Sequence, residues 1–237
     1  MNGYMNSSSL VLNTWEQVEK YIDSTEIAFK PSYLDQVNSR RYPKDAFTLG
    51  QLSSKIWLLD VLFNQKLRSE RPRNAVLLGC WVGALVQPLL ERADKRWRER
   101  QIERVYGIDL DPESVELSEQ FNHRLVQDSW RYKGVIADCN MLNCADMQFQ
   151  TSGELIQITP DMVINTSCEH MPEDWFYTCN SDQLIVMQTN DSEQYDGHIN
   201  TCSDEFEMWY KYPLSDRLFS GYLKTPAYTR YMQIGYK

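Results

Sequence analysis

Five short apolar runs, AVLLG, VYGIDL, YKGVIAD, DMVINT and QLIVMQT, recur from residue 74 onward, with helical stretches between them. Strands read as near-continuous apolar runs when helices cover both faces of a parallel sheet, so this texture predicts strand–helix units. Towards the end, FSGYLK and TRYMQIGYK carry strand character with little helical signal between them, which predicts a terminal antiparallel hairpin. The expected class is α/β, with a mostly parallel seven-stranded sheet.

The first seventy residues have a different texture. Asn13–Thr14 forms a cap ahead of WEQVEKYID, where Trp15, Val18 and Ile22 share one face. A segment started by Pro31, PSYLDQVN, follows. From Thr48 to Arg68 the apolar residues Leu52, Ile56, Leu59, Leu62 and Phe63 recur at three- and four-residue steps, the pattern of an amphipathic helix packed on a core. Residues 1–70 are thus expected to form a helical cap or lid on a main domain spanning 71–237. A chain of 237 residues with 42% hydrophobic composition accommodates that arrangement as a single domain.

Composition narrows the partners. A net charge of −9 disfavours a broad phosphate-binding surface, because nonspecific nucleic-acid affinity comes largely from clustered Lys and Arg. The expected partner is a small molecule. The cationic cluster Arg92, Lys95, Arg96, Arg98, Arg100 and Arg104 is interleaved with acids and is expected on a solvated helix with i,i+4 pairs. No apolar run approaches the roughly eighteen residues of a membrane span, and no secretion signal opens the chain, so a cytoplasmic location is expected. The six cysteines form no CxxC pair and are expected as reduced thiols.

Ligand-type residues stand at four successive strand ends. The first strand turns through Gly79 and Gly83 in VLLGCWVGAL, where glycine lets the backbone approach a ligand closely, although a tight strand-to-helix turn needs the same residues. The second ends at Asp109 in GIDLDP, a carboxylate placed to accept two ribose hydroxyls. Asp111, directly before Pro112, fits a helix cap better. The third ends in ADCN, where Asp138 suits an adenine amino group and Cys139 backbone the ring nitrogens. The fourth gives INTSCEHM, with Asn165 at the rim where open α/β sheets bind ligands.

From Asn74 onward the order of these motifs resembles the class I S-adenosylmethionine-dependent methyltransferases. GQLSSKIWLLDVL, GCWVGAL, IDLDP, INTSCEHM and YTRYMQIGYK are further similar to a phage and bacterial methyltransferase-like group. The resemblance implies a Rossmann-like domain that binds S-adenosylmethionine and needs no metal, with Gly79, Trp81, Gly83, Asp109, Leu110, Asp138, Cys139 and Asn165 around the cofactor. Two positions depart from the pattern. Leu77 replaces the acid that most of these enzymes carry at the end of the first strand, and Trp81 replaces the middle glycine. The Trp81 indole suits two roles equally: facing the sulfonium, or packing the helical cap onto the sheet.

Two chemistries follow from the resemblance. One is methyl transfer to a small acceptor. The other, the leading expectation because the chain leaves little room for an acceptor, is attack of the ligand's own α-amine on its γ-carbon. That reaction releases methylthioadenosine and forms azetidine-2-carboxylate, as in the azetidine-2-carboxylate synthases. Asn140, Asn165, Tyr177 and Ser203 are the expected acceptors for a neutral amine, with local capping or core roles as the alternatives. Cys168–Glu169–His170 is expected to shape a loop, since adjacent residues do not converge on one metal and the other histidines, His123 and His198, lack ligand-like spacing. A cofactor-binding pseudo-enzyme is disfavoured by the intact Asp109 and Asp138. A nucleic-acid methyltransferase is disfavoured by charge and by INTSC standing where an NPPY-type motif would hold a flipped base.

Overall fold

The computed structural model describes residues 9–24, 42–68, 73–97, 102–128, 130–151 and 153–237. The Pro31 segment, Arg98 and Arg100 lie outside the described residues. The five apolar runs form strands Asn74–Leu78 (β2), Arg104–Asp109 (β3), Tyr132–Ile136 (β4), Met162–Asn165 (β7) and Leu184–Asn190 (β8), all mutually parallel. Asp216–Lys224 (β9) and Thr229–Tyr236 (β10) make the expected antiparallel hairpin, with β10 inserted next to β8. With the two-residue strand Leu10–Val11 as β1, the sheet order is β1-β9-β10-β8-β7-β2-β3-β4.

The sheet therefore has eight strands where seven were expected. The extra strand is Leu10–Val11 (β1), which pairs parallel to β9 and shields part of that edge. It is too short for its periodicity to be visible in a segment otherwise read as helical. A separate antiparallel hairpin, Met147–Thr151 (β5) with Glu154–Ile158 (β6), has no clear signal in the sequence. It turns through Gly153 at φ +82°.

Period-two alternation divides the core. Leu77, Ile164, Val186 and Ile234 face one cluster, while Val76, Leu78, Val163, Ile185 and Met187 face the other. The first cluster is covered by Trp15–Ser24 (α1), Leu49–Asn64 (α2) and Val86–Arg96 (α3). Thr14 caps α1, its Oγ1 accepting from Gln17 N–H at 3.2 Å, while Gln17 Oε1 reaches back to Asn13 N–H at 2.7 Å.

The helix α2 departs most from expectation. Its apolar face packs on the sheet as the spacing predicts, but Ser53, Ser54 and Lys55 are buried as well. Ser54 Oγ donates to Gln188 Oε1 of β8 at 3.0 Å, so the polar side of the helix lies against strand residues and not against water. Ile56, Leu58, Leu59 and Leu62 share one cluster with Leu77 and Val186, so the boundary at residue 70 does not divide the core.

The cationic cluster also differs from the expected self-paired helix. Arg92 reaches Asp60 of α2 at 3.1 Å, Arg96 donates to Phe63 O at 3.2 Å, and Asp94 holds Arg131 at 2.7 Å. These cations bind neighbouring elements because α3 is packed between them. No described helix is long and apolar enough to cross a membrane. All six cysteines are free and buried.

Candidate functional site

Strand order reverses between β2 and β7, and the loops leaving these two strands flank a crevice at the carboxyl rim. The loop after β2 is wound tightly. Gly79 and Gly83 sit at φ +61° and +65°, and a Cβ on Gly83 would come within 2.7 Å of Asn122 Nδ2. Trp81 is also left-handed, at φ +48°, a conformation costing a non-glycine residue roughly 1–3 kcal/mol. Its backbone N–H is held by Asp109 Oδ2 at 2.8 Å.

Asp109 thus ties two strand-end loops together, since its Oδ1 also accepts from Asp111 N–H at 3.1 Å. Each oxygen retains lone-pair capacity for a ligand hydroxyl. Asp111 is the cap foreseen for the helix Pro112–Phe121 (α4), accepting from Glu113 N–H and Ser114 N–H, each at 3.1 Å. These bonds, with the Ser114 hydroxyl first, hold its carboxyl below the usual range.

A cleft of about 490 Å³ opens beside this loop, lined by Gly79, Trp81, Asp109, Leu110, Ala137, Asp138, Cys139, Asn140, Ser167, His170 and Met171. That volume suits a nucleoside-sized ligand. Asp138 caps the 3₁₀ turn Cys139–Met141, its Oδ1 accepting from Asn140 N–H at 2.9 Å. Asn140 Oδ1 is buried without a partner. Leu110, 67% exposed, forms an apolar lip. Burial pushes the Cys139 thiol up to about 12 despite the hydrogen bond from the Gly79 backbone.

The other expected residues are placed differently. Gly83 lies beyond the cleft wall and packs on Asn122 and Ser118. Asn165 is fully buried and works one step behind the cleft: its Oδ1 accepts from Ser167 N–H at 2.9 Å and its Nδ2 contacts Met171 Sδ at 3.2 Å. Tyr177, on the short helix Asp174–Tyr177, is 59% exposed and points its hydroxyl at Lys211 O. Ser203 binds Glu207 Oε2 through both N–H and Oγ, at 2.7 and 2.8 Å, while Asp204 caps the helix Glu205–Lys211. Neither Tyr177 nor Ser203 lines the cleft.

On the other side of the 79–83 loop lies a smaller cavity of about 80 Å³, lined by Gln51, Lys55, Leu77, Trp81, Thr166, Glu169 and His170 among others. Trp81 borders both spaces and packs against the Ala46–Phe47–Phe121 cluster, in line with the packing role foreseen for it. Burial pushes the Lys55 ammonium down to about 7, Arg230 adds to the effect, and Glu169 opposes it. Lys55 Nζ donates to Gln51 Oε1 at 2.8 Å. Glu169 forms a buried ion pair with Arg230 at 3.3 Å and accepts from Asn190 Nδ2 at 2.6 Å.

Sequence reading missed Lys55 altogether and underrated Glu169. Lys55 resembled the polar side of an ordinary amphipathic helix, and only its burial marks it. The fold also brings His198 beside His170, ring centroids 4.5 Å apart, so Glu169, His170 and His198 do converge despite their spacing. The Glu169 carboxylate is already neutralised by Arg230, and each ring turns Nδ1 to a backbone carbonyl, of Gly197 and of Ser192.

Among solved structures, the chain is similar to magnesium protoporphyrin IX methyltransferase ChlM from Synechocystis PCC 6803 with bound SAH. Identity is 15%, 87% of this chain and 94% of that chain are covered, and the TM-score is 0.50. It is also similar to the trans-methyltransferase CalH in complex with SAH, at 10% identity, 79% and 60% coverage, and TM-score 0.52. The CMeT domain of the citrinin polyketide synthase matches at 9% identity, 88% and 58% coverage, and TM-score 0.52. No family model matches the chain, and no curated protein does. These likenesses show the fold, a class I methyltransferase architecture.

Proposed function

We propose that this protein is a cytoplasmic enzyme that binds S-adenosylmethionine in the Asp109–Asp138 cleft and transfers its methyl group to a small acceptor. The observation that carries this reading is the cleft itself: ligand-type groups from three consecutive strand ends converge on one crevice at the point of strand reversal. Asp109 is oriented by two backbone N–H groups to receive the ribose hydroxyls. Asp138 suits the adenine amino group, with Leu110 and Ala137 supplying apolar wall. The bound sulfonium would supply an electrophilic methyl carbon with a neutral thioether as leaving group. The chain's part is to position the nucleophile in line and exclude water. The net charge of −9 favours a small acceptor over nucleic acid.

A second reading is cyclisation, in which the ligand's α-amine bonds to its own γ-carbon, the carbon–sulfur bond breaks onto sulfur, and the amine loses a proton. One observation favours it: the space adjoining the cleft is only about 80 Å³, too small for a sizeable acceptor. Asn140 Oδ1, which is buried without a partner, can accept from such an amine.

Calorimetry with S-adenosylmethionine and S-adenosylhomocysteine tests the cleft, and binding of neither would overturn it. Mass spectrometry after incubation with S-adenosylmethionine alone separates the chemistries. Methylthioadenosine with azetidine-2-carboxylate means cyclisation, whereas intact ligand that yields S-adenosylhomocysteine only when an acceptor is added means methyl transfer.

A further inference from the structure

The loops that leave β7 and β8 are laced together at the carboxyl rim. The backbone N–H groups of Ile199 and Asn200 both donate to Glu169 O, at 2.8 and 3.0 Å. His170 Nδ1 faces Gly197 O at 3.2 Å, and His198 Nδ1 faces Ser192 O at 2.5 Å. A ring nitrogen can bond a carbonyl only by donating, so each neutral imidazole carries its proton on Nδ1 and keeps a lone pair on Nε2. The two rings meet edge to face, with centroids 4.5 Å apart. Metal-binding histidines are held in this way, with one ring nitrogen anchored to a carbonyl and the other open.

The third group is Glu169, which is 3% exposed. Its Oε1 accepts from Asn190 Nδ2 at 2.6 Å and pairs with Arg230 at 3.3 Å, while its Oε2 is buried with no partner. A carboxylate oxygen in that state is costly unless a donor or a metal ion reaches it. One ligand atom from each of Glu169, His170 and His198 lies within 4.8 Å of the other two. A tetrahedral shell with bonds of roughly 2.1 Å spaces its ligands roughly 3.4 Å apart, so the set closes on an ion by movements of about 1 Å. The exposed His170 ring has room for such a movement.

Donor chemistry selects the occupant. Two imidazoles and a carboxylate suit a first-row divalent ion such as Zn²⁺, whereas Mg²⁺ and Ca²⁺ take oxygen ligands. An anion would face the unpartnered Glu169 oxygen. Arg230 opposes a cation, but it engages Oε1 only, and the loop itself carries Asp191, Glu193 and Asp196, all exposed, as compensating charge.

We propose that Glu169, His170 and His198 bind one zinc ion, which clamps the loop after β8 onto the loop after β7, with water completing the shell. Because His170 also lines the cleft, the clamp fixes part of the cleft wall. A sulfonium gives up its methyl group without a Lewis acid, so the role of the ion is to hold the loops. The inference stands apart from the identity of the ligand in the cleft.

The test is calorimetric titration of the whole, metal-stripped protein with zinc chloride, without any S-adenosyl ligand, followed by amide hydrogen exchange of residues 191–199. Wild type should bind one ion per chain, and Mg²⁺ should bind at least roughly 100-fold more weakly. His198→Gln should weaken zinc by roughly 100-fold, since even groups behind metal ligands are worth about 10- to 100-fold. His123→Gln, which removes the remaining histidine of the chain, should leave zinc affinity within about twofold. Glu169→Gln should weaken zinc as well; because it strips the buried Arg230 of its counter-charge, the two histidine variants decide the matter if it does not fold. Zinc should slow amide exchange across 191–199 in wild type and not in His198→Gln. Absence of stoichiometric binding, or Mg²⁺ binding as tightly as zinc, overturns the site. Equal loss in His123→Gln and His198→Gln overturns it too, as the mark of adventitious zinc on surface imidazoles. Stoichiometric zinc that leaves exchange across 191–199 unchanged overturns the clamp.

Discussion

The two spaces on either side of the 79–83 loop are built on opposite principles. The cleft is assembled from strand ends, each a few residues from the rigid sheet, and its carboxylates are partly open to solvent and tied to backbone N–H groups of the rim loops themselves. The small cavity is assembled from Lys55, Thr166 and Glu169, its charges are buried, and that of Glu169 is balanced over long range by Arg230 with a hydrogen bond from Asn190. Damage to the first should therefore show in binding, and damage to the second in stability as well. A site at strand ends can be altered cheaply; a buried ionic network cannot.

The largest effect tests that contrast directly. Glu169→Ala leaves Arg230 buried and unpaired, at a cost of about 3–5 kcal/mol, and should lower Tm by roughly 10 °C in a scanning calorimeter. A Tm within about 2 °C of wild type would break the comparison. Asp109→Ala should do the reverse, weakening S-adenosylhomocysteine about 100-fold through lost charged hydrogen bonds. Its effect on Tm should be the smaller of the two, because Asp109 carries no buried counter-charge.

Lys55 sharpens the contrast through pH. Its folded pKa, about 7, lies below the unfolded value, so the unfolded chain binds more protons between pH 7 and the ordinary lysine range near 10.5. The burden is therefore complete below pH 7 and is relieved as pH rises through that window. Lys55→Met should raise Tm most at pH 6 and progressively less towards pH 10, the maximal gain being a few kcal/mol at roughly 1.4 kcal/mol per pKa unit. A gain independent of pH would mean that the ammonium is not the burden.

Smaller effects probe the shared wall and the periphery. Trp81→Ala should reduce any preference for the sulfonium over the neutral thioether by about threefold to tenfold in competitive binding, the range of a cation–π contact. Ser203→Ala, which removes only a hydroxyl bonded to Glu207, should change stability by under about 0.5 kcal/mol and leave ligand affinity unchanged. A loss of affinity there would place Ser203 closer to the ligand than the cleft geometry does.

Legibility followed the same division. The five parallel strands, the terminal hairpin, the Asp111 cap and the cleft residues Gly79, Asp109 and Asp138 were readable because each depends on neighbours within a few positions. Asn165 was readable as a strand-end residue, but its side chain turns inward to Ser167 and Met171, which spacing does not reveal. Tyr177 and Ser203 have the chemical type of an amine acceptor, and type carries no information about which rim a loop reaches. Two-residue β1 and the β5–β6 hairpin were too short or too polar for a periodic signal.

The amino-acid sequence by itself determined the layered α/β architecture, the wound loop after the first long strand and the carboxylates at the next two strand ends, because period and turn chemistry act locally. Tertiary structure alone decided that the polar side of α2 faces inward, that Lys55 is buried beside Glu169, and that Arg230, Asn190 and His198 gather around the same loop. Those outcomes depend on which distant surfaces meet and exclude water. Exclusion of water is also what makes the charge on an ordinary lysine costly at position 55.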